Sequence, residues 1–242
     1  MPAREKPILI VAFPEQAVSV KTESDTMINY QKELEKVLQK IEKEDKPAPM
    51  LYLHSCCAPC SSYVLEYLST YFEITVFYYN PNISFAEEYR KRVEEQKRLI
   101  AAYNAEAGQA RYHISVEEGD YEPERFYEIA KGLETCPEGG ERCFRCFDLR
   151  LRETAIRAAR GKYDYFATTL TISPLKNAAK LNEIGQALSE EYDIPWLPSD
   201  FKKKNGYKRS IELSAQYNLY RQDYCGCAYS RAEREQHKMY QN

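Results

Sequence analysis

The sequence predicts an α/β fold in which parallel strands form one layered sheet with helices on both faces. Two observations predict it. Short β-branched and aromatic runs alternate with amphipathic helical stretches along most of the chain. The apolar run Leu51-Tyr52-Leu53 also stops at His54-Ser55-Cys56-Cys57-Ala58-Pro59-Cys60, and a helical pattern of Tyr63, Val64, Tyr67 and Leu68 follows. That is a strand-to-helix turn, and in an open α/β sheet such turns lie at the carboxyl edge of the strands, where ligands bind.

Taken in order, residues 1–28 have little periodicity, are punctuated by Pro2, Pro7 and Pro14, and read as an N-terminal extension. Residues 29–242 read as one catalytic α/β domain with a basic C-terminal segment. Asn29 to Glu44 predicts a helix, because Tyr30, Leu34, Val37, Leu38 and Ile41 share a face. Met50 to Leu53 is a short buried strand and Ser62 to Thr70 a helix. Glu73 to Tyr79 is a second strand, β-branched and aromatic, closed by Asn80-Pro81-Asn82. Glu87 to Glu106 is a long charged helix, Arg111 to Val116 a third strand, and Pro123 to Leu133 a helix. A loop with Gly139-Gly140 spans Thr135 to Arg142, before a helix from Phe147 to Arg160. Tyr163 to Leu170 is a fourth strand and Asn177 to Tyr192 a helix. Ile194-Pro195-Trp196-Leu197 begins an edge strand, since Pro195 has no N–H for a ladder. Ser210 to Tyr217 is helical. Strand alternating with helix gives parallel βαβ units and a Rossmann-like (HUP-like) sheet.

The 242 residues are enough to bury a core without cross-links. Net charge is −3, so bulk charge does not announce a nucleic-acid binder. The charge is uneven, however: from Lys202 onward nine Lys and Arg face four Asp and Glu, a basic end of +5 on an acidic body of −8. Such an end meets a polyanion locally or is simply a solvated surface. No signal peptide and no apolar stretch of bilayer length is found, so a cytoplasmic chain is expected. Eight cysteines in such a chain point to metal binding or catalysis rather than structural disulfides.

The cysteines form three groups: Cys56, Cys57 and Cys60; Cys136, Cys143 and Cys146; Cys225 and Cys227. Cys143-Phe144-Arg145-Cys146 is a C-x-x-C at the mouth of a helix, whose N-terminus favours thiolates. Joined to the first group by folding, these thiols can furnish the four ligands of a [4Fe–4S] cluster. Zinc is the competing metal, although structural zinc usually takes two C-x-x-C pairs on small knuckles. One residue between Cys225 and Cys227 makes any disulfide a small, easily reduced ring, and Gly226 supplies the backbone freedom it needs. A redox-active dithiol is the sharper reading; further metal ligands are the alternative. His54 and His113 are singled out for no chemistry. Asp200, Asp223, Glu87 and Glu88 are candidate proton donors among which spacing does not choose. No P-loop, G-x-G-x-x-G or H-E-x-x-H is present.

Several stretches together resemble the cobalamin-independent epoxyqueuosine reductases, the QueH family. They are His54 through Ser61, Tyr79-Asn80-Pro81-Asn82-Ile83, Glu88-Tyr89 with Arg92, and Arg142-Cys143-Phe144-Arg145-Cys146. Thr168-Thr169-Leu170 with Ser173-Pro174-Lys176-Asn177, and Arg221 with Tyr224-Cys225-Gly226-Cys227, complete the set. The resemblance implies an enzyme that reduces the epoxide of epoxyqueuosine at the wobble position of tRNA, giving queuosine. It implies a [4Fe–4S] cluster on Cys56, Cys57, Cys143 and Cys146, a redox-active disulfide between Cys225 and Cys227, and an unidentified electron donor. Cys60 and Cys136 are left over. Cys60 is expected beside the cluster, at a second adjacent metal ion or in contact with substrate. A splayed anticodon loop is read by stacking and edge hydrogen bonds. Lys202, Lys203, Lys204, Lys208, Arg209 and Arg221, interleaved with Tyr207, Tyr220 and Tyr224, are the expected phosphate track. The competing functions are a zinc-stabilised nucleic-acid-binding domain and a cluster-free thiol–disulfide oxidoreductase.

Overall fold

The computed structural model describes residues 28–106 and 111–239. The expected N-terminal extension lies outside them except for Ile28. Helix α1 (Tyr30–Lys43) opens the described chain, with the Asn29 side chain accepting from Lys32 N at 3.2 Å as its cap. It is followed by β1 (Met50–His54), α2 (Ala58–Leu68), β2 (Glu73–Tyr78), α3 (Ala86–Glu106) and β3 (Ile114–Glu118). Then come α4 (Pro123–Ala130), α5 (Glu141–Arg160), β4 (Tyr165–Thr168), a 3-10 turn over Thr169–Ile172, α6 (Ala178–Tyr192), α7 (Gly206–Gln216) and α8 (Ala228–Met239).

The four strands make one parallel sheet in the order β3-β2-β1-β4. Trp196 adds a single parallel bridge to Phe166 outside β4, which extends the order to the Rossmann-like one. The expected edge strand at Ile194–Leu197 is therefore one bridge only. Pro195 O accepts from Phe166 N and Leu197 N donates to Phe166 O, but Pro195 has no N–H to carry the ladder further. Two apolar layers cover the sheet. Leu34, Leu65, Leu68, Val76 and Leu99 belong to one; Phe77, Phe147, Leu151, Phe166 and Trp196 belong to the other.

Several boundaries differ from the expectation, three of them for a clear local reason. Helix α2 starts four residues early, at Ala58, because Pro59 sits in its first turn, where its fixed φ and missing N–H cost nothing. Helix α5 starts at Glu141 rather than Phe147. Gly140 caps it, its carbonyl accepting from Cys143 N at 2.9 Å, and Glu141 places negative charge in the first turn. Strand β3 starts at Ile114, where the Asn104 side chain bonds both Ile114 N and Ile114 O. Helix α8 is not among the elements that the sequence predicts; Ser230 is its one buried residue, so it carries no apolar stripe to read.

Candidate functional site

Strand β1 lies between β2 and β4, so chain direction from β1 leaves to one side through α2 and β4 arrives on the other. This is the switch point of the sheet, and the loops after β1 and β4 open a crevice there. His54, the last residue of β1, ties the floor of that crevice. Its Nε2–H donates to Tyr79 O at 3.1 Å, and its Nδ1 accepts from the Thr168 hydroxyl at 2.8 Å. Burial, with the Arg150 guanidinium as a second cause, depresses His54 to about 3, so the ring is neutral and serves as a strut across three strands.

The first thiol group stands directly on this floor. The sulfurs of Cys56, Cys57 and Cys60 all lie within 4.8 Å of one another. Cys57 is the N-cap residue of α2 and Cys60 sits in its first turn, so both face the same end of the helix. Hydrogen bonds from the Cys56 and Cys60 thiols hold the Cys57 thiol well below its usual range, with Arg92 adding positive charge. The same sharing pushes Cys56 up to about 11, through its hydrogen bond to Cys57, and raises Cys60. The three sulfurs thus share hydrogen bonds, with Cys57 the most acidic of them.

The second and third groups meet beside it. An outer cavity of about 180 Å³ is lined by Cys56, Cys57, Cys60 and Cys225. A smaller inner cavity is lined by Cys143, Cys146, Cys225 and Cys227. Cys225, Glu138, Arg150 and Lys176 line both. Cys143 and Cys146 are three residues apart on α5 and face one side of the helix. Burial raises both thiols, Cys146 to about 11, while Gly139 N donates to Cys143 Sγ at 3.3 Å. Each of the six cysteines expected as cluster ligand or redox pair therefore faces one of two adjoining cavities. Cys60 stands with them, whereas Cys136 lines neither.

The Cys225-Gly226-Cys227 segment is held from several sides, and all eight cysteines are free thiols in this structure. Arg92 Nη1 donates to Cys225 O at 3.0 Å, Ser84 N to Gly226 O at 3.1 Å, and Cys225 N to Ser230 Oγ at 3.1 Å. Asn82 Nδ2 lies 3.8 Å from Cys225 Sγ, and Ser230 N donates to Cys227 Sγ at 3.3 Å. Burial first, then the neighbouring Cys225, pushes Cys227 up to about 12.

Sequence reasoning gave the charged residues around the cavities no charge-balancing role, although Arg92, Arg142 and Lys176 stand in the stretches that carry the resemblance. Lys176 donates to Glu138 at 2.9 Å, and Glu138 also accepts from Ser230 Oγ at 2.8 Å. Burial alone would depress Lys176, but the Cys225 thiol and Glu138 together hold it above its ordinary range. Arg92 pairs with Glu88 at 2.7 Å and Arg142 with Glu233 at 3.2 Å. Arg92 and Arg150 each keep one buried Nη2 without a hydrogen-bond partner. A crevice lined by soft thiols and backed by buried cations suits a thiolate-ligated metal group with net negative charge. Of the candidate proton donors, Glu88 is bound to Arg92 and the Tyr220 hydroxyl, and Asp223 to Lys238 and Arg234; Glu87 is exposed.

The expected phosphate track is divided by the fold. Lys202 pairs with Asp200 at 2.7 Å, Lys204 with Glu35, and Arg209 with Glu66 at 2.7 Å. Lys203 and Lys208 are exposed and form no ion pair among the described residues. Tyr207, Arg221 and Tyr224 line the outer cavity, and Leu175 stands on its rim, 72% exposed. No helix among the described residues is long and apolar enough to cross a membrane.

Residues 51–233 match the family described as epoxyqueuosine reductase QueH. Curated relatives carry the same description. One from Staphylococcus epidermidis is 44% identical over 205 residues, covering 84% of each chain. One from Streptococcus pyogenes is 43% identical, covering 84% of this chain and 78% of its own. One from Thermotoga maritima is 33% identical, covering 76% of this chain and 91% of its own. Matches of this extent, running through all three thiol groups, show that the chain belongs to the epoxyqueuosine reductase QueH family.

Proposed function

We propose that this chain is an oxidoreductase that converts epoxyqueuosine at the wobble position of tRNA into queuosine. The observation that carries the reading is the meeting of three thiol groups, remote in sequence, on two adjoining cavities at the carboxyl edge of one sheet. The epoxide oxygen leaves as water and the ring is left as a cyclopentene, which takes two electrons and two protons. Oxidation of the Cys225 and Cys227 dithiol to a disulfide releases that same number of each. An external electron donor then restores the pair.

In this reading Cys56, Cys57, Cys143 and Cys146 hold a [4Fe–4S] cluster. Such a group supplies one-electron transfers when bound. Cys60, within 4.8 Å of two of these sulfurs, would take a second adjacent metal ion or touch substrate. The chain's own residues do the rest. His54 fixes the floor. Arg92 and Ser230 fix the backbone of Cys225, so that its sulfur faces both cavities. The outer cavity admits a splayed nucleoside, with Tyr207 and Tyr224 offering aromatic faces and Arg221 positive charge at its wall.

The test is anaerobic incubation of the iron-loaded protein with epoxyqueuosine-containing tRNA and a one-electron reductant, followed by nucleoside analysis. Queuosine is the expected product. Cys225→Ser is expected to stop turnover and leave the iron content unchanged. A protein that binds zinc, stays colourless and leaves the nucleoside untouched would overturn the reading in favour of a structural zinc domain.

A further inference from the structure

Four cations are buried around the two cavities, and three are balanced by carboxylates. Arg92 has Glu88, Arg142 has Glu233 and Lys176 has Glu138. Arg150 has none among the described residues, although it is 1% exposed. Its Nε donates to Cys146 O at 3.2 Å and its Nη1 to Asn80 Oδ1 at 3.2 Å, both neutral partners. Its Nη2 is buried and unpartnered. A buried charge without a counter-charge costs several kcal/mol, so a chain that keeps one must place an anion beside it. Arg150 lines both cavities and lies between the Cys56 group and the Cys143 group. Burial opposes its charge, and the groups that favour it are the thiols of Cys146, Cys225, Cys56 and Cys143.

We propose that Arg150 is a positioning residue of the redox centre: its unpaired guanidinium, set between the two thiol groups, is the internal counter-charge that eases electron entry into the group they hold. The inference rests on the redox-centre reading above. A permanent positive charge beside the group favours its more reduced, more negative state, and a buried site screens it little. Asn80 keeps the guanidinium in place without neutralising it. Its Oδ1 takes Arg150 Nη1 and its Nδ2 donates to Ser55 O at 2.8 Å, which anchors it beside the first thiol group.

The experiment titrates iron-loaded protein against a graded one-electron reductant and follows the reduced form by electron paramagnetic resonance. Arg150→Met removes the charge at similar volume; Arg150→Lys retains it without the fork. At a fixed reductant potential the reduced-to-oxidised ratio of Arg150→Met is expected to fall about tenfold, which is about 59 mV for a one-electron couple. Arg150→Lys is expected to stay within about threefold of wild type, less than half that change on a logarithmic scale. A ratio for Arg150→Met within the same limit overturns the proposal, as does an Arg150→Lys ratio that falls as far as that of Arg150→Met. If Arg150→Met fails to fold or to load, Arg150→Lys decides alone by the same limit. Failure of both variants to hold iron while folded would make the guanidinium's shape, not its charge, the requirement and would overturn the proposal. Wild-type protein that takes up no iron would overturn the redox-centre reading first, and so is told apart from a failure at Arg150.

Discussion

The Ser230 hydroxyl donates to a Glu138 carboxylate oxygen at 2.8 Å and joins the loop before α5 to the turn that carries Cys225 and Cys227. The same hydroxyl accepts from Cys225 N at 3.1 Å, and the other Glu138 oxygen takes Lys176. A half-buried carboxylate thus sets the backbone of a thiol that faces two cavities. Ser230→Ala removes a hydrogen bond to a charged group and leaves both Cys225 N and Glu138 short of a partner. A loss of about 1.5–3 kcal/mol in unfolding free energy is expected. Turnover should fall while bound iron stays at the wild-type level. Denaturant melts read beside iron analysis check this, and loss of iron with normal stability would contradict it.

Gly226 adopts φ +121°, a conformation that side chains disfavour. A Cβ built there would lie 2.9 Å from Ile83 Cγ1 and 3.2 Å from Arg92 Nη1, the group that holds Cys225 O. Gly226→Ala is therefore expected to cost about 1–3 kcal/mol. In a chain of this size that lowers the melting temperature by roughly 2–4 °C per kcal/mol. The shift of the turn should also slow alkylation-detected closure of the Cys225 and Cys227 pair under mild oxidant. A variant that melts and oxidises like wild type would show that the turn tolerates a side chain.

Removing the metal group should destabilise the protein through linkage. A ligand held at a thousandfold excess over its dissociation constant contributes about 4 kcal/mol to the folded state. The counter-charge role proposed for Arg150 would reinforce the effect, because its charge would then lose its counterpart. Calorimetry of the iron-loaded and chelated protein, both anaerobic, is expected to show a drop of roughly 8–16 °C. Equal melting temperatures would mean that the thiols bind nothing that matters to the fold.

Much of this architecture was legible in the sequence, because it rests on periodicity and on turn residues. Asn29 and Asn177 mark helix starts as caps, and the β-branched run at Glu73 to Tyr78 is a strand with the bounds expected to within one residue. The thiol groups were legible because cysteine is rare and its spacing informative. What was not legible depends on partners distant in the chain. Arg150 and Glu138 look like solvated charges in the sequence, and only tertiary structure turns them inward. Helix α8 escaped because its residues face solvent and are held by ion pairs such as Arg231 with Glu235 rather than by an apolar face. The basic track divides in a way the sequence does not show. Lys202 and Lys204 look available in sequence, yet Asp200 and Glu35 occupy them.

That division gives a graded prediction for nucleic-acid affinity. Arg221 donates to Ser214 Oγ at 2.9 Å, lines the outer cavity and has no carboxylate partner among the described residues. Lys203 and Lys208 are exposed on the segment that leads into α7 and on α7 itself. Neutralising any one of these three cations should lower tRNA affinity and reduce the slope of log affinity against log salt by about 0.7–0.9. Lys202→Gln and Lys204→Gln should change the slope far less, because each cation already has an anion within the chain and frees it when removed. Filter-binding or fluorescence titrations at several salt concentrations separate the two sets. If all five substitutions flatten the slope equally, the internal pairs are opened by the nucleic acid and the track runs along the whole segment. If none does, the phosphates are met elsewhere, and the stacking surface of Tyr207, Tyr224 and Leu175 would carry the nucleoside through its base alone.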